Sequence, residues 1–377
     1  MKQIPQTAIE LFAGIGGFRL GIEPLGIQTI WANDMSDLSC CVYRDQFGDH
    51  AIIESDIHQI RVQDIPEHDL LTAGFPCQPF SPAGKKLGIR DQVRGTLFEK
   101  IVEIIEAKKP DYFLLENVKR ILTMEQGSHF RQILNALASL NYWIEWRIIS
   151  PIHFGIPQNR DRVFILGTKV EDEPDSFLEN YTVFLTPQDL DELAIYDQNL
   201  FKQLKPILET RKNYAWGIAY QHQMYSQTLP PLPDFYPRRR LKDILQLPSE
   251  IDEQFDFTPE TLERIKNSQF VNRYCQGVEI LYNQAGGARL GYTVFGINGV
   301  ASTLTASTSR HYERYQVGEQ FRRLTPVEYA RLMGFPDHWC RGVRVYDQYA
   351  LFGNAVVPIC IQWIVSRLGK KIQQIVS

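Results

Sequence analysis

Cys77 directly follows a proline in Gly74-Phe75-Pro76-Cys77-Gln78-Pro79-Phe80-Ser81, at the end of the apolar run Asp69-Leu70-Leu71-Thr72-Ala73. Proline sets its own φ and restricts the residue before it. A strand ending there delivers its next residues into a loop, where α/β enzymes place reactive side chains. The sulfur is therefore presented, and thiolate chemistry is what it offers. A lone cysteine is more often a small buried hydrophobe, so the weight lies in its companions. Glu116 ends a second apolar run, Tyr112 to Leu115, which places it at the same sheet edge as Cys77. A carboxyl group there can hold or donate a proton, and burial raises its pKa. Arg160 and Arg162 alternate in Gln158-Asn159-Arg160-Asp161-Arg162-Val163-Phe164-Ile165-Leu166-Gly167. On a strand, that spacing puts both on one face. Guanidinium groups beside a thiol and a carboxyl stabilise developing negative charge.

A second group of residues reads as a small-molecule site. Phe12-Ala13-Gly14-Ile15-Gly16-Gly17 joins a strand to a helix. Glycines there permit positive φ and close backbone approach. The helix start beyond them favours an anion such as a carboxylate. Asp34 ends the next strand, twenty residues after Gly14, where an acid suits a ribose diol. The spacing is not the six-residue dinucleotide fingerprint.

The elements that must position these residues follow from periodicity. Strands are predicted at 8–12, 28–33, 51–55, 69–73, 111–116, 143–149 and 162–168, and helices at 18–25, 36–46, 96–108 and 128–140. Apolar residues in 96–108 recur at helical spacing. Strands alternating with helices of this length predict an α/β, doubly wound, mostly parallel sheet. After residue 170 prolines and aromatics dominate, with Pro206, Pro230, Pro231, Pro233 and Pro237 close together. This predicts a smaller, loop-rich domain, a setting in which recognition usually resides. Residues 359–376 read as a final helix.

With 377 residues, 44% of them hydrophobic and 22% charged, the chain can bury a large core. No membrane span, signal peptide or transit peptide is expected, since a strand begins almost at once. Six cysteines without metal-ligand spacing suit a reducing cytosol and no structural metal. The net charge of −4 would argue against nucleic acid, but its distribution is uneven. Nine acids and no Lys or Arg lie between Glu171 and Phe201. Eight basic residues face two acids between Lys202 and Lys242, and Arg310, Arg314, Arg322 and Arg323 add to them. That reads as one face for phosphates and another kept away from them.

Five blocks, in order, resemble the DNA (cytosine-5)-methyltransferases. They are Ile9 to Phe18, Gly74 to Ser81, Tyr112 to Val118, Gln158 to Gly167, and the C-terminal pair Arg322-Arg323-Leu324-Thr325-Pro326 and Phe352-Gly353-Asn354-Ala355-Val356-Val357-Pro358. The resemblance reaches both ends of the chain and thins between about residues 180 and 300. It implies an S-adenosylmethionine-dependent, Rossmann-like catalytic domain over 1–185 and 345–377, with one antiparallel strand near the sheet edge. Residues 186–344 would form a target-recognition domain and hinge. Cys77 would add to C6 of an extruded cytosine, Glu116 would contact N3, Arg162 would hold O2, and Arg160 would stand near Cys77. Phe12 would pack on adenine, Asp34 would bind ribose and Asp56 the adenine amino group, with Met35 and Ile57 lining the slot. The family usually has Glu where Asp34 stands. Ala13, Gly14, Ile15, Gly16, Gly17, Gly74, Pro76, Leu97, Asn354, Ala355 and Val356 would complete the cofactor site.

Ser81 to Thr96 carries glycines and basic residues suited to a loop closing over DNA. Ser81 and Arg94 in it, with Thr303, Arg310 and Arg314, would meet the DNA. The resemblance implies a prokaryotic, monomeric, cytoplasmic enzyme acting on duplex DNA at a short target. The sequence leaves open whether a restriction endonuclease acting on the same site accompanies it; one that did would form no stable complex. The RNA-acting branch of this superfamily shares the catalytic residues, but its Cys-Phe-Thr tripeptide is absent here.

Overall fold

The computed structural model describes residues 3–76, 96–171, 182–189, 215–221, 223–283, 293–306 and 313–370. Its first strands and helices alternate as the periodicity predicts: β1 Thr7–Leu11, α1 Gly17–Ile22, β2 Gln28–Asp34, α2 Asp37–Phe47, β3 Ile53–Glu54 and β4 Leu70–Gly74. There follow α3 Leu97–Lys108, β5 Tyr112–Val118, α4 Ser128–Ala138, β6 Tyr142–Ile149 and β7 Arg162–Lys169. Side-chain caps sharpen the helix starts. Ser36 accepts from Ser39 N at α2, and Thr96 from Glu99 N at α3.

These strands form one large sheet with β8 Trp216–Tyr220 and β9 Gln223–Gln227, in the order β3-β2-β1-β4-β5-β7-β6-β8-β9. From β3 to β5 the ladders are parallel; β7 and β8 run against the other strands of the sheet. The central strands are buried along nearly their whole length, as expected when helices cover both faces. Two large apolar clusters form, one containing Phe18, Leu114 and Ile361 and the other Phe113, Ile101 and Leu134. The division expected at residue 186 does not coincide with the edge of this sheet. β8 and β9 extend it, and Glu145 of β6, fully buried, fastens β8 and the 182–186 segment by accepting from Trp216 Nε1 at 2.8 Å and from Val183 N at 2.6 Å.

The second sheet joins β10 Gln269–Cys275, β11 Val278–Asn283, β12 Thr293–Phe295, β13 Arg314–Val317 and β14 Gln320–Arg322 in sequence order. A short helix, α5 Pro259–Lys266, precedes it. After it come α6 Pro326–Met333, α7 Val345–Asn354 and α8 Pro358–Val365. Val345–Val365 is apolar enough over its length to cross a membrane. In the fold it is two helices, interrupted at residues 355–357 and packed against the large sheet. The predicted helix 359–376 begins one residue earlier, at Pro358, and gives way to turns after Val365; residues beyond 370 are not described. Pro358 stands at the first helical position, where a missing N–H costs nothing.

Candidate active site

The turn after β1 is built on backbone that favours glycine. Gly14 has φ +56° and Gly16 φ +84°, and Phe12 adopts φ +53° despite its side chain. Asp34 at the end of β2 holds this turn. Gly14 N donates to its Oδ2 and Ser36 N to its Oδ1, each at 2.8 Å. Gly17 is required by packing, because a Cβ there would lie 2.5 Å from the Val356 carbonyl oxygen. The chain's C-terminal return thus sits directly on the start of α1.

That helix start already has a carboxyl partner. Glu10, 1% exposed, accepts from Phe18 N at 3.2 Å and from the Tyr43 hydroxyl at 3.0 Å. Burial pushes its carboxyl up to about 8, against the lowering effect of those hydrogen bonds.

A cavity of about 640 Å³ opens between this turn, the ends of β4 and β5, and the segment after α7. Phe12, Ala13, Gly14, Ile15, Gly17, Asp34 and Met35 line one side. Gly74, Pro76 and Leu97 line another, and Asn354, Ala355 and Val356 close it. Gly16 does not line it and instead lets the turn pass the Phe47 ring. Asp56 and Ile57 are not in the lining either. Asp56 caps the short turn Ile57–Gln59, accepting from His58 N and facing His58 Nδ1, both at 2.9 Å. Ile57 is buried in the apolar cluster that contains Phe98 and Ile101.

Glu116 and Arg162 meet at the far end of the cavity, with Arg162 Nε 3.0 Å from Glu116 Oε1. Glu116 stands beside Gly74 in the β4–β5 ladder and is buried. Desolvation raises its pKa, and Arg162 and Arg160 only partly oppose it. Asn117 fastens the approach to the cysteine, donating from Nδ2 to the Phe75 carbonyl at 2.8 Å. Cys77, Ser81, Arg94 and Arg310 lie outside the described residues.

Arg160 is placed differently from the alternation expected on a strand. Strand β7 begins at Arg162, so Arg160 lies on the loop before it. Its buried guanidinium donates to the carbonyls of Leu304 at 2.8 Å, Gly353 at 2.8 Å and Ala355 at 2.9 Å. It ties the loop before β7 to the segment after β12 and to the C-terminal return. Nor does Arg322 join a basic face: both it and Glu328 are 0% exposed, and they form a two-pronged ion pair at 2.7 and 2.8 Å. Arg314 lies on β13, partly buried, 6.0 Å from the Phe257 ring. Thr303 donates its hydroxyl to the Asn159 carbonyl.

Gln158 escaped the reading of residue types. It is fully buried, accepts from Leu304 N at 3.1 Å and donates to the Leu332 carbonyl at 2.7 Å. Its position in the block before Arg160 was the only available signal, since a glutamine reads as a surface residue.

Residues 6–370 match the family described as C-5 cytosine-specific DNA methylase. The type II methyltransferase M1.ScrFI of Lactococcus lactis subsp. cremoris is 31% identical over 97% of this chain and 79% of its own length. The type II methyltransferase M.HhaI of Haemophilus parahaemolyticus is 30% identical over 97% of this chain and 94% of its own. A crystal structure of a Spodoptera frugiperda DNMT2 mutant aligns with a TM-score of 0.63 at 18% identity, covering 97% of this chain and all of that one. The S. pombe Dnmt2 methyltransferase aligns at 0.61 and 18%, covering 96% and 97%.

Proposed function

The chain belongs to the C-5 cytosine-specific DNA methylase family, and on that footing we propose how its own residues carry the reaction. It is a DNA (cytosine-5)-methyltransferase of the type II restriction–modification kind. C5 of cytosine is a poor nucleophile within an aromatic ring. The Cys77 thiolate adds to C6, which breaks the aromaticity and places electron density on C5. Glu116, whose pKa burial raises, contacts N3 and supplies a proton as C6 is attacked. Arg162 orients Glu116 and holds O2. After C5 is methylated its proton passes to solvent water, the C5–H electrons re-form the ring double bond as the C6–S bond breaks, the thiolate is restored, and N3 returns its proton to Glu116.

The observation that carries this reading is the Glu116–Arg162 pair set in the wall of the same cavity as the Gly14 turn. The cavity fits S-adenosylmethionine: its volume falls in the usual ligand range of about 300–1,000 Å³. Phe12, Met35, Leu97 and Val356 offer apolar wall, and Asp34 offers a carboxylate to the ribose. When bound there, S-adenosylmethionine supplies an electrophilic methyl group. Phe12 and Met35, 70% exposed, stand in the lining as the apolar contacts for the adenine, and Asp56 is its proposed amino-group partner. Arg160 acts by positioning.

A target cytosine must leave the stack to reach so recessed a pair. Residues 1–185 and 345–377 hold the chemistry. The second sheet, within 186–344, meets duplex DNA, with Ser81, Arg94, Thr303, Arg310 and Arg314 as further contacts. A partner endonuclease cutting the same site, and action on cytoplasmic DNA, follow the type II pattern.

A target cytosine bearing fluorine at C5 tests the mechanism. The adduct forms and is methylated, but F⁺ cannot leave in place of the proton. Enzyme and DNA should stay bonded through denaturing electrophoresis when S-adenosylmethionine is present. No bonded complex, on DNA the enzyme demonstrably methylates, would refute the thiol addition.

A further inference from the structure

Hydrogen bonds of the described backbone join the second sheet to the loop that carries Arg160 and Arg162. Gln276 and Gly277, at φ +49° and +81°, make the turn between β10 and β11. Val300 N donates to the Gly277 carbonyl at 2.9 Å. Ala301 N then donates to the Pro157 carbonyl at 2.8 Å, and Asn159 N to the Ala301 carbonyl at 2.9 Å. Leu304 next meets both Gln158 and Arg160. The segment 300–304 is therefore stitched to the hairpin turn at one end and to the catalytic loop at the other. One side-chain bond closes the circuit directly: Asn159 Nδ2 donates to Gln276 Oε1 at 3.1 Å.

We propose that Gln276 is a positioning residue that couples the seating of the second sheet on DNA to the placement of Arg162 against Glu116. The reason is mechanical. Asn159 is adjacent to Arg160, whose three carbonyl contacts are buried and resist movement. A displacement of the hairpin turn reaches Asn159 through Gln276 and reaches Leu304 through Gly277. The catalytic strand starts three residues beyond Asn159. A well-seated hairpin thus holds the loop where Arg162 meets Glu116, and a badly seated one pulls it away. This rests on the methyltransferase reading above and adds a route by which target fit governs the chemical step.

The test uses the whole enzyme and an unmethylated duplex carrying the target that bisulfite sequencing identifies. Gln276→Asn keeps a residue that tolerates positive φ but is one methylene too short to reach Asn159. It should slow single-turnover methylation about 3–10-fold, the usual weight of one hydrogen bond. The KM for S-adenosylmethionine and the melting temperature should not move. Gln276→Glu keeps an acceptor for Asn159 and should stay within about twofold of wild type. Asn159→Ala should match Gln276→Asn, and the double variant should lose no more than either alone. Multiplying losses in the double variant, a loss confined to DNA affinity, or an unchanged rate in Gln276→Asn would each overturn the coupling. Absence of methylation by the wild-type enzyme on the same duplex would instead sink the methyltransferase reading.

Discussion

Arg162 Nε stands 3.0 Å from Glu116 Oε1, across an antiparallel ladder that sets Arg162 opposite Val118. An arginine at that distance should hold a carboxyl low, yet the Glu116 pKa is raised because burial outweighs the charge. Burial thus favours the protonated carboxyl while Arg162 holds it in place.

The first expectation concerns that acid. Glu116→Gln should slow adduct formation by about 10²–10⁴-fold, the weight of a positioned acid. The wild-type rate should fall as pH rises through the raised Glu116 pKa, because the protonated form is the active one. Arg162→Leu removes the opposing charge, so the surviving activity should show that limb at higher pH. A pH–rate profile that shifts downward in Arg162→Leu would contradict the assignment.

Glu10 gives a stability signature. Its folded-state pKa, about 8, lies above the ordinary 4.5, so the folded chain binds that proton more tightly than the unfolded one. The contribution is present in full below about pH 4.5 and is lost as pH rises to about 8. Its size is roughly 3–5 kcal/mol from the span of the shift. Glu10→Gln keeps an acceptor for Phe18 N and Tyr43, and its denaturation midpoint should vary less between pH 5 and 8. Equal pH dependence in the two proteins would count against a buried, protonated Glu10.

Arg160 should behave as a structural tie. Arg160→Ala leaves three buried carbonyls without their charged donor, a loss of about 3–5 kcal/mol in unfolding free energy. S-adenosylmethionine affinity should fall with it, because Ala355 lines the cavity proposed to hold it. Calorimetry and thermal melting check both; a variant as stable as wild type that lost only methylation would favour a direct role in chemistry.

Gly17→Ala places a methyl group 2.5 Å from the Val356 carbonyl oxygen, where backbone rather than a flexible side chain must give way. The expected cost is about 1–3 kcal/mol of stability, with weaker S-adenosylmethionine binding as Val356 shifts. Gly26→Ala, which meets nothing within 4 Å but has φ +83°, separates the clash from backbone strain. If Gly17→Ala leaves cofactor affinity intact, the contact between α1 and the C-terminal return does not shape the cavity.

Much of this molecule could be read before any coordinates. The strand positions through residue 170 follow from short continuous apolar runs, and the helix positions from apolar residues at 3.6 spacing. Glu116 at the close of an apolar run, Asp34 at the end of β2 and the glycines between β1 and α1 are local facts of the same kind. The second half was less legible, since its short strands carry weak patterns and β8 and β9 join the large sheet across a long insertion.

What the sequence determined by itself was the chemistry available, because residue type and local order decide which groups can act as nucleophile, acid or cation. Only the tertiary structure decided which of them meet. It paired Arg162 with Glu116, turned Arg160 toward three carbonyls, buried Arg322 on Glu328, and left Asp56 outside the cavity lining. These are contacts between residues up to 195 positions apart. Charge and spacing along the chain are local quantities, whereas partner and burial are set by packing, and the fate of an ionisable group depends on the latter.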